Sequence, residues 1–283
     1  MVTIKDYDYH IKPDWCPGCG NYAQWNAIKG ALVEMNIEPE NVVIVSGIGC
    51  SSNMPEYIRA YGFHGLHGRL LPVATGIKFA NPNLTVIAYG GDGDGYYEGL
   101  NHLYNAAKRN VDIKYIVSNN EVFGLTTGQA SPTAPIGFVS KTTPPPEGSI
   151  EIPVNPLTFA LTAGATFVAR GYSGELKHLQ GLIVEALKHR GFALIDVLSP
   201  CVTWNKIRTY EFYRERVYKL NNNDLGNFEN AYRLANENGD KIPIGIFYKV
   251  EKPTYNDLDP ILKKGPLISR KTDIKKYIIE EFY

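Results

Sequence analysis

The chain is 283 residues long, 44% hydrophobic and 20% charged, and its 29 basic residues balance 29 acidic ones. That apolar content can build a full core, which excludes a disordered or fibrous chain, and a formal charge of zero supplies no net field to gather a nucleic acid. No run of about 18 apolar residues is present to cross a membrane, and the opening MVTIKDYDYHIKPDW has scattered charges where a signal peptide needs an apolar stretch, so the sequence reads as cytoplasmic.

In chain order, a helix is predicted from near Asn21 through Ile28, Leu32 and Met35. β-branched runs at 42–46, 84–89, 113–118, 166–169 and 193–198 predict buried strands. Between them, Leu100, Leu103, Tyr104 and Ala107, and then Leu176, Leu179, Ile183 and Leu187, have helical spacing. Alternating strands and helices predict an α/β fold, a mostly parallel sheet with helices on both faces. The pattern fails over 128–153, where six prolines (132, 135, 144, 145, 146 and 153) interrupt a stretch too long for an ordinary connection. This segment reads as a lid or a partner-contacting loop. After Trp204 the texture turns rich in Asn and Tyr, with a lone strand candidate at 244–250. The expected organisation is one α/β domain over 1–205 and a C-terminal extension over 206–283, packed on the core or on another subunit.

Ligands of open α/β sheets bind outside the carboxyl ends of the strands. Here those ends lead into Gly47-Ile48-Gly49-Cys50-Ser51-Ser52, Gly90-Gly91-Asp92-Gly93-Asp94, Asn119-Asn120 and Pro200-Cys201. The Gly91-Asp92-Gly93 turn opens a helix, so its N–H groups can face a phosphate, whereas the Asp carboxylate needs a cation between itself and that phosphate. Asn120, 28 residues on, offers an amide oxygen in the same crevice, and two hard oxygen ligands with open positions suit Mg²⁺. An Asp-Gly pair is also a common turn, and Asn-Asn a common loop.

The four cysteines are too few for a disulfide scaffold. Cys16, Cys19, Cys50 and Cys201 admit a zinc site, an iron–sulfur cluster, a Cys16–Cys19 redox pair or no shared site. Cys50 lies in the glycine loop expected to touch the cofactor, so a redox cluster held there would neighbour it. Zinc, with no redox chemistry, would not explain that position.

The Asp-Gly and Asn-Asn motifs resemble those of thiamine diphosphate enzymes. That resemblance implies Mg²⁺ held by Asp92, Asn120 and the backbone carbonyl of Val122, with Gly124 and Leu125 along the diphosphate. Taken with Trp15-Cys16-Pro17-Gly18-Cys19-Gly20, the Gly47-Ile48-Gly49-Cys50-Ser51 loop, His64-Gly65-Leu66-His67-Gly68-Arg69 and Cys201, the chain over about 10–205 resembles the β subunit of archaeal-type 2-oxoacid:ferredoxin oxidoreductases. The family implies oxidative decarboxylation of a 2-oxoacid such as pyruvate, coenzyme A accepting the acyl group and ferredoxin the electrons. It implies one 4Fe-4S cluster on Cys16, Cys19, Cys50 and Cys201, and thiamine diphosphate contacts from Ile48, Gly49, Cys50, Ser51, His67, Asp92 and Gly93. His67 could equally be a structural histidine, and Arg69 could serve either the diphosphate charge or a salt bridge. Asn53 and Thr127 fall where the family places the substrate side chain, and a neutral Asn53 gives no strong bias toward 2-oxoglutarate; it is equally a capping residue before Pro55. The activating Glu and the coenzyme A site are expected on a partner α subunit. The rival readings are a non-oxidative thiamine diphosphate decarboxylase or synthase with structural zinc, and a noncatalytic zinc-stabilised interaction module.

Overall fold

The computed structural model describes residues 1–270. The β-branched runs form a central sheet because they place apolar side chains on both faces, and every residue of the inner strands at 42–46, 114–119 and 193–198 is buried. In chain order the strands are β1 (Val42–Ser46), β2 (Tyr61–His64), β3 (Thr85–Gly91), β4 (Lys114–Asn119), β5 (Val122–Phe123), β6 (Gln129–Ala130), β7 (Phe167–Tyr172), β8 (Ala193–Leu198), β9 (Val217–Lys219) and β10 (Ile242–Lys249). Eight make one sheet in the order β2-β1-β3-β4-β8-β7-β10-β9, and β5 and β6 make a separate antiparallel ribbon. All pairs in the large sheet are parallel except β7 with β10.

The helices are α1 (Asn21–Glu34), α2 (Leu70–Ala80), α3 (Leu100–Lys108), α4 (Pro156–Thr162), α5 (Leu176–Lys188), α6 (Tyr210–Arg216), α7 (Phe228–Ala235) and α8 (Tyr255–Leu258). Alternation along β1 divides the core between them. Val42 and Ile44 pack with Ile28 and Leu32 of α1 and Leu179 and Ile183 of α5. Val43 and Val45 pack on the other face with Leu71 and Ala74 of α2, Leu103 and Ala107 of α3 and Leu157 of α4. Each fully buried Leu or Ile contributes about 1.5–3 kcal/mol, so both helical layers are held to the sheet by area rather than by specific bonds. None of the described helices is long and apolar enough to cross a membrane.

The predicted strands all form, with β3, β4 and β7 running beyond the predicted ends to Gly91, Asn119 and Tyr172. Two strands of the large sheet were not predicted. β2 is an edge strand with all four residues exposed, so it has no buried run to read, and β9 is only three residues long. The lone C-terminal candidate becomes β10, which bonds to β7 and carries β9, so residues after 205 extend the same sheet. The part of the expected extension past 270 lies outside the described residues. The proline-rich segment starts as β6 and then buries Ser131, Thr133, Ala134 and Phe138, while Ile136, Val139, Ile150 and Ile152 are exposed.

Candidate functional site

Parallel pairing brings the carboxyl ends of β1, β3, β4 and β8 to one edge of the sheet, where two adjoining cavities share Cys50, Asn120, Gly124 and Leu125. The first is lined by every residue assigned above to cofactor or Mg²⁺: Ile48, Gly49, Cys50, Ser51, His67, Asp92, Gly93, Asn120, Val122, Gly124 and Leu125. The second, of about 210 Å³, is lined by Cys16, Cys19, Cys50, Cys201 and Asn53. Thr127 lies outside both, exposed and with φ 79°.

Asp92 is buried at the start of the turn after β3. Burial pushes its carboxyl up to about 6, against the pull of two hydroxyls from the proline-rich segment. Ser131 Oγ and Thr133 Oγ1 approach Asp92 Oδ2 at 2.5 and 2.6 Å. Both fall on the same oxygen. Asn120 closes a tight turn in which Val122 N donates to its Oδ1 at 3.0 Å. The residue between, Glu121, takes the left-handed φ of 61° that costs a side-chain-bearing residue about 1 kcal/mol or more. Arg208 Nε holds Glu121 Oε2 at 3.0 Å, a partly buried pair at the strained turn, although burial still pushes the Glu121 carboxyl up to about 7.

Asp94, the second acid of the motif, was given no role by sequence reasoning, yet it ties three segments of the first cavity together. Its Oδ1 accepts from Ile48 N at 2.9 Å and Gly68 N at 2.8 Å and lies 3.2 Å from His67 Nδ1. Burial raises its carboxyl above the usual range, and those two backbone bonds oppose the rise. The close approach is possible because Gly47 has no side chain: a Cβ there would lie 2.0 Å from Asp94 Oδ2. Gly93 is required in the same way, since its Cβ would lie 2.2 Å from the Phe123 ring.

All four thiols are free. The Cys50 loop is held by Trp15, whose Nε1 donates to Cys50 O at 2.6 Å. Gly124 opens the space between two thiols, because a Cβ there would meet Cys50 Sγ at 3.6 Å and Cys201 Sγ at 3.9 Å. Burial pushes the Cys19 thiol up to about 12 and also raises Cys50, and in both the neighbouring cysteines add to the rise. Thiols in such a group are held as thiolates only when a cation replaces their protons.

Among the described residues no three His, Cys, Asp or Glu side chains converge as a single metal ion requires. The crevice lined by Asp92, Asn120 and Val122 instead offers a carboxylate and an amide, hard oxygen donors that fit Mg²⁺ with a diphosphate. All four cysteines line the second cavity, and four thiol donors are the ligand set an iron–sulfur cluster takes.

The family model described as thiamine pyrophosphate enzyme, C-terminal TPP binding domain, matches residues 47–197. Fold and crevice therefore define a thiamine diphosphate-type α/β protein. A second model, for the C-terminal part of the pyruvate ferredoxin oxidoreductase beta subunit, matches 201–264. The 2-oxoacid:ferredoxin oxidoreductase subunit beta of Saccharolobus solfataricus is 48% identical, covering 84% of this chain and 82% of the relative. That of Sulfolobus sp is 48% identical over 95% and 92%. A solved 2-oxoglutarate:ferredoxin oxidoreductase from Magnetococcus marinus, with 2-oxoglutarate, coenzyme A and succinyl-CoA bound, superposes with a TM-score of 0.91 at 39% identity, covering 100% of this chain and 97% of the other. The chain belongs to the β subunits of the 2-oxoacid:ferredoxin oxidoreductases, a family of oxidoreductases. That membership favours neither a non-oxidative thiamine enzyme nor a zinc-stabilised interaction module.

Proposed function

We propose that this β subunit serves the coenzyme A-dependent oxidative decarboxylation of a 2-oxoacid to an acyl-CoA and CO₂, two electrons leaving singly to ferredoxin. The observation that carries the reading is that Cys50 lines both cavities, so the loop that would touch the organic cofactor would also bear a ligand of the redox metal. When bound, thiamine diphosphate supplies the nucleophilic carbon and the electron sink that decarboxylation needs, and a 4Fe-4S cluster supplies one-electron transfer.

The chain's own work is to bind and orient. Asp92, Asn120 and the Val122 carbonyl would hold Mg²⁺, with Ser131 and Thr133 fixing the Asp92 carboxylate. Ile48 to Ser51, His67, Gly93, Gly124 and Leu125 would line the cofactor, and Asp94 sets the Ile48 and Gly68 segments and lies beside His67. Cys16, Cys19, Cys50 and Cys201 would hold the cluster, and Asn53 beside them would face the substrate side chain. The subunit naming of the relatives implies an α partner, and to it we assign the activating Glu and the coenzyme A site. Succinyl-CoA in the Magnetococcus structure supports acyl-CoA as the product.

The test is anaerobic purification with the partner subunit. About four irons and four sulfides per chain, together with ferredoxin reduction that needs both the 2-oxoacid and coenzyme A, are expected. Near one zinc without sulfide, or turnover by the isolated chain, overturns the reading.

A further inference from the structure

Three of the strand ends that build the two cavities meet at one buried side chain that lines neither cavity. Gln24, on the first turn of α1, is wholly buried. Its Nε2 donates to Ser118 Oγ at 2.9 Å and to Ser199 Oγ at 3.0 Å, with Ser173 Oγ at 3.3 Å. Its Oε1 accepts from Tyr89 OH at 3.0 Å. These partners come from 65 to 175 residues away along the chain.

Three of the partners stand just before a residue of the site. Tyr89 lies on β3 three residues before Asp92, Ser118 on β4 two residues before Asn120, and Ser199 two residues before Cys201. Gln24 itself follows Cys19 by five residues on the helix that Cys19 and Gly20 lead into. The junction is tight. Gly20 N donates to Pro200 O at 3.3 Å, joining the segments that carry Cys19 and Cys201. A Cβ on Gly20 would lie 2.3 Å from Ser199 Oγ, so only a glycine beside Cys19 leaves room for the hydroxyl that Gln24 binds. Ser118 Oγ also donates to Asn21 Oδ1 at 2.7 Å, a second tie between the start of α1 and β4.

We propose that Gln24 is a positioning residue that sets the distance between the Cys16–Cys19 turn and the Cys201 strand end, and so tunes the metal cluster those thiols hold. A buried amide has two N–H donors and an acceptor oxygen, all satisfied together only in one orientation. Three strand ends and one helix are therefore locked in a common register by a single group. A hydrophobic contact of the same size would hold the layers together but would not fix their offset, because dispersion has no directional preference. Groups that hydrogen-bond a metal's ligands commonly govern its affinity, and Gln24 acts one step further out, on the backbone segments that carry Cys19 and Cys201.

The proposal rests on the cluster reading above, and the experiment separates the two. Wild type, Gln24→Met and Leu32→Ala are each purified anaerobically with the partner subunit. Leu32 is a buried residue farther along α1, and its truncation weakens the same helix without touching the hydroxyls. Iron release to a chelator, the paramagnetic spectrum of the reduced protein and the cluster midpoint potential are measured. Gln24→Met is expected to release iron about tenfold faster or more, with a changed spectrum and a shifted potential, while Leu32→Ala keeps the wild-type spectrum and potential. Equal behaviour of Gln24→Met and wild type overturns the positioning role. So does equal iron loss by both variants, which would make Gln24 a general stabiliser of the helix. Absence of iron and sulfide from wild type overturns the cluster reading, and the proposal with it.

Discussion

Ser131 donates a hydrogen bond of 2.5 Å to Asp92 across 39 positions of sequence, tying the proline-rich segment to the carboxylate at the centre of the first cavity. Thr133 makes the same approach at 2.6 Å, and Ser131 N is itself held by Glu121 O. The segment that reads as an irregular loop in sequence thus holds the Asp92 carboxylate in place at the base of the first cavity.

Ser131→Ala should leave the fold intact and weaken Mg²⁺ binding by about tenfold, because it frees the Asp92 oxygen that the hydroxyls fix. Calorimetric titration of Mg²⁺ in the presence of thiamine diphosphate measures this. An unchanged affinity would show that Ser131 does not help to hold the site.

Asp92→Asn should abolish cation-dependent cofactor binding yet stabilise the metal-free protein at neutral pH. Its folded pKa of about 6 lies above the ordinary 3.8, so the carboxylate's burial cost is absent below pH 4 and complete above pH 6. Relative to the Asn variant, wild type should lose about 1–3 kcal/mol as pH rises through that window, with lost hydrogen bonds offsetting part of the gain. Denaturant unfolding at pH 4 and pH 7, without metal, decides the matter. A difference that does not change with pH would mean that Asp92 is not held against ionisation.

His189 gives the opposite dependence. Its Nε2 lies 2.8 Å from Thr166 Oγ1, and burial together with the Lys114 cation pushes the imidazole down to about 4 from 6.5. The neutral ring is favoured in the fold, so its stability contribution is full above pH 6.5 and is lost as pH falls toward 4. Compared with His189→Gln, wild type should lose about 2–3 kcal/mol across that range. Parallel stability curves for the two proteins would sink the prediction.

Gly124→Ala separates folding from metal loading. The added methyl meets the Cys50 and Cys201 sulfurs at 3.6 and 3.9 Å, which is ordinary contact, and Gly124 has no left-handed φ to strain. Metal-free stability should change by less than about 0.5 kcal/mol. Iron content after reconstitution should fall sharply if Cys50 and Cys201 hold the cluster as proposed, because the methyl occupies the space between those two thiols. Full iron loading of this variant would place the metal elsewhere.

Much of this site is legible in the sequence. Asp92, Asn120, Cys50 and Cys201 could be grouped because they follow strands, and a parallel sheet brings strand ends together whatever the details of packing. Gln24, Ser131, Thr133 and Asp94 could not be assigned roles in this way. A polar residue within a helix or loop reads as solvent-facing, and only partners remote in sequence, such as Asp92 for Ser131 at 39 positions and Ser199 for Gln24 at 175, show otherwise. β2 was illegible for a related reason: an exposed edge strand carries no burial pattern, and it is recognised only by its pairing with β1.

The sequence by itself determined the sheet's inner strands, three of the helices that cover them (α1, α3 and α5, but not α2 or α4) and the residue types delivered to its carboxyl edge, since these depend on local periodicity and on the handedness of crossovers. The tertiary structure alone decided that Cys50 serves two cavities, that Asp92 is buried under two hydroxyls, and that Gln24 joins three strand ends to the helix behind the thiols. These are contacts between segments remote in sequence. Their distances follow from how whole layers pack, and no local pattern encodes that offset.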